Sequence, residues 1–328
     1  MKFLAKFFFA TVLASALAVF LVVLWPVPLS EPKLLVRVPH GASLRTAAHS
    51  LNEGGVGIPA WIISGVGRVA GLSTSIKAGS YEFDQGIALW ALLRKLSSGD
   101  TSQADVLFVE GTTFRDIRAK LNSQSELIHA TRDMSDADIM IKLGAAGQSP
   151  EGWFFPDTYR FDKRSEDLAV LQRAFVAMQK QLNVVWQTRE PNLPLKSPYE
   201  LLILASIVEK ETGAAADRTQ IAGVFINRLR KGMRLQTDPT VIYGLGDRFD
   251  GNLRKADLQR DTPHNTYTRG GLPPTPICMP GIAALQAAAH PAKTDALYFV
   301  AKGDGSSQFS ATLDAHNQAV NQYQRGKP

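Results

Sequence analysis

The chain is almost without cysteine: among 328 residues only Cys278 is present. A single thiol excludes an internal disulfide and any metal site built from several cysteines. Histidine is sparse as well. His40, His49, His129, His264, His290 and His316 form neither an H-x-x-x-H nor an H-E-x-x-H spacing, so a zinc enzyme is not expected. Acidic residues are outnumbered, 30 Asp and Glu against 36 Lys and Arg, which leaves a net charge of +6. The basic residues are spread along the chain without a tract or a nucleic-acid motif, so no nucleic-acid partner is expected. Mild positive charge suits solubility, or an anionic partner such as a membrane surface or a wall polymer. Cys278 lies in the Pro-rich loop Pro273–Pro280 and reads as a packed small residue, not a nucleophile. Nothing here calls for a metal, a nucleotide or another cofactor.

What is present begins at the N-terminus. Lys2 and Lys6 precede an uncharged apolar run over residues 7–25, followed by Pro26 and Pro28. Nineteen residues make a helix of roughly 28 Å, enough for a bilayer core of about 30 Å. Positive charge before the run places residues 1–6 in the cytoplasm and the bulk of the chain outside, on a single-pass anchor in the inner, cytoplasmic membrane. Trp25 suits the far interface. A cleaved signal peptide is the rival reading, with Ala14, Ala16 and Ala18 as small residues, but the apolar run continues past them to Leu24. The only cysteine lies too far along the chain for a lipoprotein.

Roughly 300 exported residues predict two or three domains. An internal echo marks the first half: Val38-Pro-His-Gly41-Ala-Ser-Leu-Arg45 is repeated in kind by Val109-Glu-Gly111-Thr-Thr-Phe-Arg115. Each reads as a strand end, a Gly turn, a hydroxyl cap and an amphipathic helix. With a helix over 59–69, a strand over 78–83 and a helix over 88–96 closed by Gly99, residues 33–105 form a β-α-α-β module. That order resembles small glycan-binding modules of the LysM type, and a plain spacer is the other reading. Residues 106–150 form a second small α/β segment. Glu151-Gly-Trp153-Phe-Phe-Pro156-Asp157-Thr-Tyr159 then packs aromatics with Gly and Pro. It reads either as a wall for sugar rings, with Glu151 or Asp157 in the site, or as a plug between domains.

The run Leu201-Leu-Ile-Leu-Ala-Ser-Ile-Val-Glu209-Lys-Glu211-Thr212 predicts a buried helix with carboxylates near its end. Ser197, Pro198 and Glu200 supply a capping box and a first-turn proline, and Gly213 a stop. Burial raises a carboxyl pKa, which is what a general acid near neutral pH requires. Two positions apart on a helix is about 200° of rotation, so Glu209 and Glu211 cannot face the same cleft. Glu211 has Ile207 and Val208 one turn back, and Glu209 has the smaller, more polar Ala205 and Ser206. Periodicity leans to Glu211 without deciding between them.

Downstream come a helix capped by Asp217 with Gln220 as box partner, then a set of dense motifs. With those upstream they read EGWFFPDTY (151–159), ASIVEKET (205–212), FINRL (225–229), MRLQTDPTVIYG (233–244), NTYT (265–268), GLPPTPI (271–277) and AAHPAK (288–293). In this order they resemble the endolytic murein transglycosylases, the MltG or YceG-like family, from about residue 33 to the C-terminus. The resemblance implies an α+β protein: a transmembrane helix, LysM-like modules and a mixed α+β catalytic domain over 151–328. It implies Glu211, followed by Thr212, as the catalytic acid. It further implies cleavage of the MurNAc-β-1,4-GlcNAc bond to leave a 1,6-anhydro end, without a metal. Gln236, Asn227, Asn265 and Tyr267 join Glu151 and Asp157 as candidate substrate contacts, with capping or loop bracing as the competing reading. Expected partners are peptidoglycan glycan strands and glycan-polymerising synthases. Two alternatives remain open: a hydrolytic muramidase with Asp238 or Asp157 as second carboxylate, and a non-catalytic wall-binding scaffold.

Overall fold

The computed structural model describes Leu13, Phe20, residues 23–211 and residues 214–326. The expected anchor over 7–25 lies almost wholly outside the described residues, as do Thr212 and the expected helix stop Gly213. Among the described residues no helix is long and apolar enough to cross a membrane. The chain forms two compact units. The first runs to Asp105 and adds Glu126–Ile128 and Arg160–Ser165; the second holds Val106–Ser125, His129–Tyr159 and the chain from Glu166 onward. Residues 106–125 and 129–150 therefore cluster with the larger, C-terminal unit.

The first unit follows the β-α-α-β order. Strand β1 (Lys33–Val38) is followed by helices α1 (Leu44–Glu53) and α2 (Ala60–Val69), strand β2 (Gly79–Asp84) and helix α3 (Leu89–Ser98). The strands pair antiparallel, Lys33 opposite Asp84 and Val38 opposite Gly79. Leu34, Val36 and Val38 alternate inward, as a two-residue period requires, onto a core with Leu51, Ile63, Tyr81, Phe83 and Leu92. Ser43 caps α1 by accepting from the Thr46 N–H at 3.2 Å. Gly99 closes α3 at φ 77°, a left-handed turn that a side chain would resist.

Strands β3 (Gln103–Leu107) and β4 (Thr158–Asp162) make a second two-stranded sheet, and the unit boundary falls within both strands. Helices α4 (Phe114–Asn122), α5 (Asp136–Lys142) and α6 (Asp167–Thr188) lead to α7 (Pro198–Glu211), α8 (Arg218–Arg230) and α9 (Asp238–Leu245). After a short 3₁₀ turn come α10 (Lys255–Gln259), α11 (Ile282–Ala289), the antiparallel hairpin β5 (Tyr298–Ala301) and β6 (Ser307–Ser310), and α12 (Leu313–Gln324). The echo is visible in structure: Gly41 and Gly111 both take positive φ. Thr113, at the position of Ser43, caps α4 in a box with Asp116.

Helix α7 is the centre of the second unit. Leu201 to Val208 are buried without exception, and α6, α8 and α11 pack around them. Each Leu, Ile or Val so buried contributes about 1.5–3 kcal/mol as an upper estimate. Its entry is as expected on one side: the Ser197 hydroxyl accepts from the Glu200 N–H at 3.2 Å. The Glu200 carboxylate, however, accepts from the Lys196 N–H, one residue before the cap. At α8 the expected box does not form, and Asp217 makes no side-chain cap bond. Gly223 sits in α8 because a Cβ there would lie 2.7 Å from the Ala292 carbonyl oxygen.

The one polar residue in the buried stretch of α7, Ser206, docks the Pro-rich loop. Its hydroxyl accepts from the Ile277 N–H at 3.0 Å and donates to the Ile203 carbonyl at 2.8 Å. The Cys278 thiol donates to the Ser206 carbonyl at 3.3 Å and is fully buried. The same loop explains a glycine: Gly152 has φ 83°, and a Cβ would come within 2.6 Å of the Pro276 ring. Gly152→Ala should therefore destabilise the protein by about 1–3 kcal/mol. Urea unfolding checks this, and an unmoved midpoint would contradict the packing described.

Candidate active site

Helix α7 carries Glu211 to the edge of a cavity of about 690 Å³. Gln236, Thr237, Asp238 and Tyr267 line it beside Glu211, and Arg228, Tyr298, Phe299, His316 and Asn317 are among the other residues of its wall. The Glu211 carboxyl is largely desolvated, and burial lifts its pKa from 4.5 to about 6. The Thr237 hydroxyl donates to Glu211 Oε1 and opposes the rise, while the negative charge of Asp238 adds to it. Among the described residues no cation offsets the burial. A largely buried carboxyl titrating near neutrality, facing a cavity, has the form of a general acid–base group.

The support behind Glu211 is a set of threonines. Thr237 is buried, and its N–H donates to the Thr266 hydroxyl at 3.1 Å. Thr240 donates to the Thr237 carbonyl at 2.7 Å and shares a 2.9 Å contact with the Thr266 hydroxyl. This fixes the donor to Glu211 before any ligand arrives. Gln236, just before it, holds φ 51°, a left-handed conformation that costs a non-glycine residue free energy. Arg228 buttresses that turn from α8. Its guanidinium donates to the carbonyls of Leu297, Arg234 and Leu235 and, at 3.3 Å, to Gln236 Oε1. The Tyr267 hydroxyl donates to Asp238 Oδ1 at 2.6 Å.

Of the residues read from sequence, Glu211, Gln236, Tyr267 and Asp238, the second carboxylate of the hydrolytic alternative, meet in this cavity; Asn227, Asn265, Asp157 and Glu151 lie elsewhere. The Asn227 amide donates to the carbonyls of Thr294 and Ala296. Asn265 is fully buried and gathers the carbonyls of Asp257, Leu258 and Arg260. Asn227 braces a loop and Asn265 the C-terminal end of α10, as the competing reading of bracing or capping had it. Asp157 is exposed, and its carboxylate accepts from the Thr158 N–H. Glu209 turns to the other side of α7 and accepts from the Gly281 N–H at 2.9 Å.

Glu151 is 5 % exposed, accepting from the Phe114 N–H and the Tyr243 hydroxyl, both at 3.1 Å. The aromatics after it divide. Phe154 stacks on Phe114 in the core, and Trp153 stacks on Tyr199 at the rim of a separate cavity of about 850 Å³. Thr237 and Arg228 were not legible as site residues. Their one outward signal is position: Thr237 sits between Gln236 and Asp238, and Arg228 sits within FINRL.

The YceG-like family model matches residues 36–322, and the chain belongs to that family. The endolytic murein transglycosylase of Bacillus subtilis (strain 168) is 34 % identical over 313 residues, which is 90 % of this chain and 86 % of that protein. The protein of that name from Streptococcus pneumoniae (strain ATCC BAA-255 / R6) is 27 % identical over 91 % of this chain, which spans 60 % of its length. The crystal structure of a yceG-like protein from Listeria monocytogenes superposes with a TM-score of 0.55 at 30 % identity, covering 88 % of this chain and 99 % of that one.

Two predictions follow from these carboxyls. Removing the Thr237 donor (Thr237→Val) should raise the Glu211 pKa, and removing the Asp238 charge (Asp238→Asn) should lower it. Carboxyl-carbon NMR titration reads both signs. Burial also lifts Glu151 to about 7, so between about 4.5 and 7 the folded state binds the proton that the unfolded chain has released. Stability from this group is complete below pH 4.5 and is lost as pH rises through 7, by up to about 3 kcal/mol. Glu151→Gln should flatten that part of the unfolding free energy against pH, and parallel curves for the two proteins would refute it.

Proposed function

We propose that this chain is a peptidoglycan lytic transglycosylase that cuts inside glycan strands with Glu211 as its single acid–base group. The observation that carries this is the desolvated Glu211 carboxyl opening onto a saccharide-sized cavity, in a family whose curated relatives bear the name endolytic murein transglycosylase. Protonated Glu211 gives its proton to the oxygen of the MurNAc-β-1,4-GlcNAc bond, and the GlcNAc departs as an alcohol. The carboxylate then takes the proton of the muramoyl 6-hydroxyl as that oxygen bonds to C1. The proton balance closes on one residue, and no water is consumed, so no second carboxylate is required. Gln236 and Tyr267 are placed to hold hydroxyl or acetamido groups and to steady the oxocarbenium-like charge.

The same reading includes an anchor over residues 7–25, N-terminus inside and catalytic part in the periplasm, beside nascent strands and the synthases that make them. A LysM-like role for the first unit in holding glycan belongs to it too. Asp238 beside Glu211 gives the hydrolytic reading its one support, but that carboxylate is already held by the Tyr267 hydroxyl.

Glu211→Gln should lower turnover on purified glycan by about 10²–10⁴-fold. Wild-type activity should fall as pH rises through about 6, because the acid form is then lost. Mass spectrometry of the products decides between readings: 1,6-anhydro ends support lysis, and reducing ends would establish hydrolysis. Wild type without cleavage would favour the scaffold.

A further inference from the structure

Helix α2 is apolar on both sides. Its sequence is AWIISGVGRV, yet within its own unit it buries only Ile63 and Gly67. Positions 61, 62, 65, 66 and 69 recur at helical spacing on the remaining face. Trp61 is 76 % exposed and Val69 88 %. With Trp90 of α3 they line a groove of about 360 Å³ that contains no charged side chain and no polar side-chain atom except two indole nitrogens. A contiguous apolar surface of this kind on a monomer marks an interaction site.

The chain itself indicates the occupant. Val23, inside the apolar run 7–25, lines the same groove, and Leu24 and Trp25 beside it are 50 % and 66 % exposed. The groove thus lies where the proposed anchor meets the folded unit. A neighbouring cavity shares Trp61 and Gly65 and carries Arg45 and Arg68, both exposed and without an ion pair among the described residues. Tryptophans on an apolar face flanked by arginines match the boundary between lipid headgroups and acyl chains.

We propose that this face of α2 and α3 rests in the bilayer surface, with Trp61, Val69 and Trp90 among the upper acyl chains and Arg45 and Arg68 against lipid phosphates. The inference rests on the anchor reading. Tethering by the anchor keeps the local concentration of lipid high, so a modest patch suffices.

The test uses the full chain in nanodiscs of anionic and zwitterionic phospholipid. An environment-sensitive fluorophore is placed at Val69→Cys or, as control, at Gln85→Cys, an exposed turn residue lining neither cavity; buried Cys278 stays unlabelled. Nitroxide-bearing lipids should quench the label at position 69 several-fold more than at 85, with a blue-shifted emission at 69 alone. Equal quenching at the two positions, with the protein still disc-bound, overturns the proposal. A blue shift at 69 without quenching does so too, and would mean that protein covers the groove, either residues 7–22 or a second copy. Loss of the chain from membranes in alkaline carbonate would instead sink the anchor reading, and this proposal with it.

Discussion

The proposed active site depends on keeping one carboxyl out of water. Moving the Glu211 pKa from 4.5 to about 6 corresponds to about 2 kcal/mol of differential stabilisation between its two protonation states. That displacement is sustained by α7, whose apolar residues are enclosed by α6, α8 and α11, so the helix cannot shift to hydrate its end. Thr237 tempers the effect by donating to the carboxylate. Desolvation alone would hold the proton too tightly to give up, and hydrogen bonding alone would leave no proton to give. The opposed pair sets a value between those limits, suited to the donor-then-acceptor role proposed for Glu211.

A second buried carboxyl shows why the shift is not sufficient. Glu151 is pushed higher than Glu211, to about 7, and by titration alone would be the stronger candidate. It is closed in by Phe114 and Tyr243 and lines no cavity beside Glu211. A proton held there has nowhere to go within hydrogen-bond reach of a substrate. Geometry therefore ranks the two carboxyls in the opposite order to their pKa values, and reactivity requires both desolvation and access.

Many local signals were legible, although the capping box expected at Asp217 does not form. The caps at Ser43 and Thr113, the left-handed stop at Gly99 and the buried α7 all follow from neighbours a few residues away. Long-range contacts were not. Asn227 on a helix face looks available for a ligand, but the carbonyls of Thr294 and Ala296, far along the chain, take its amide. Asn265 is spent too, on three carbonyls at the C-terminal end of α10. Thr237 was hidden for the converse reason: nothing in its neighbours Gln236 and Asp238 indicates that its hydroxyl turns to α7. Side-chain periodicity places a residue on a face but cannot say which distant backbone that face meets.

The dense motifs thus map onto support more than onto contact. Ser206 within ASIVEKET holds the GLPPTPI loop through Ile277 and Cys278. Gly152 of EGWFFPDTY leaves room for Pro276 of that same loop. Glu209 ties α7 to Gly281, and Arg228 of FINRL fixes the turn that presents Gln236 and Thr237. The contacts of Ser206, Gly152 and Glu209 join segments many tens of residues apart, and Arg228 braces a turn a few residues beyond its own helix. The proposed single-residue reaction needs few groups on the substrate and many behind the acid, because a misplaced donor or a hydrated carboxyl forfeits the effect. The length of the motifs is the footprint of that scaffold, and of their many residues Glu211, Phe225, Arg228, Leu235, Gln236, Thr237, Asp238 and Tyr267 line the cavity together.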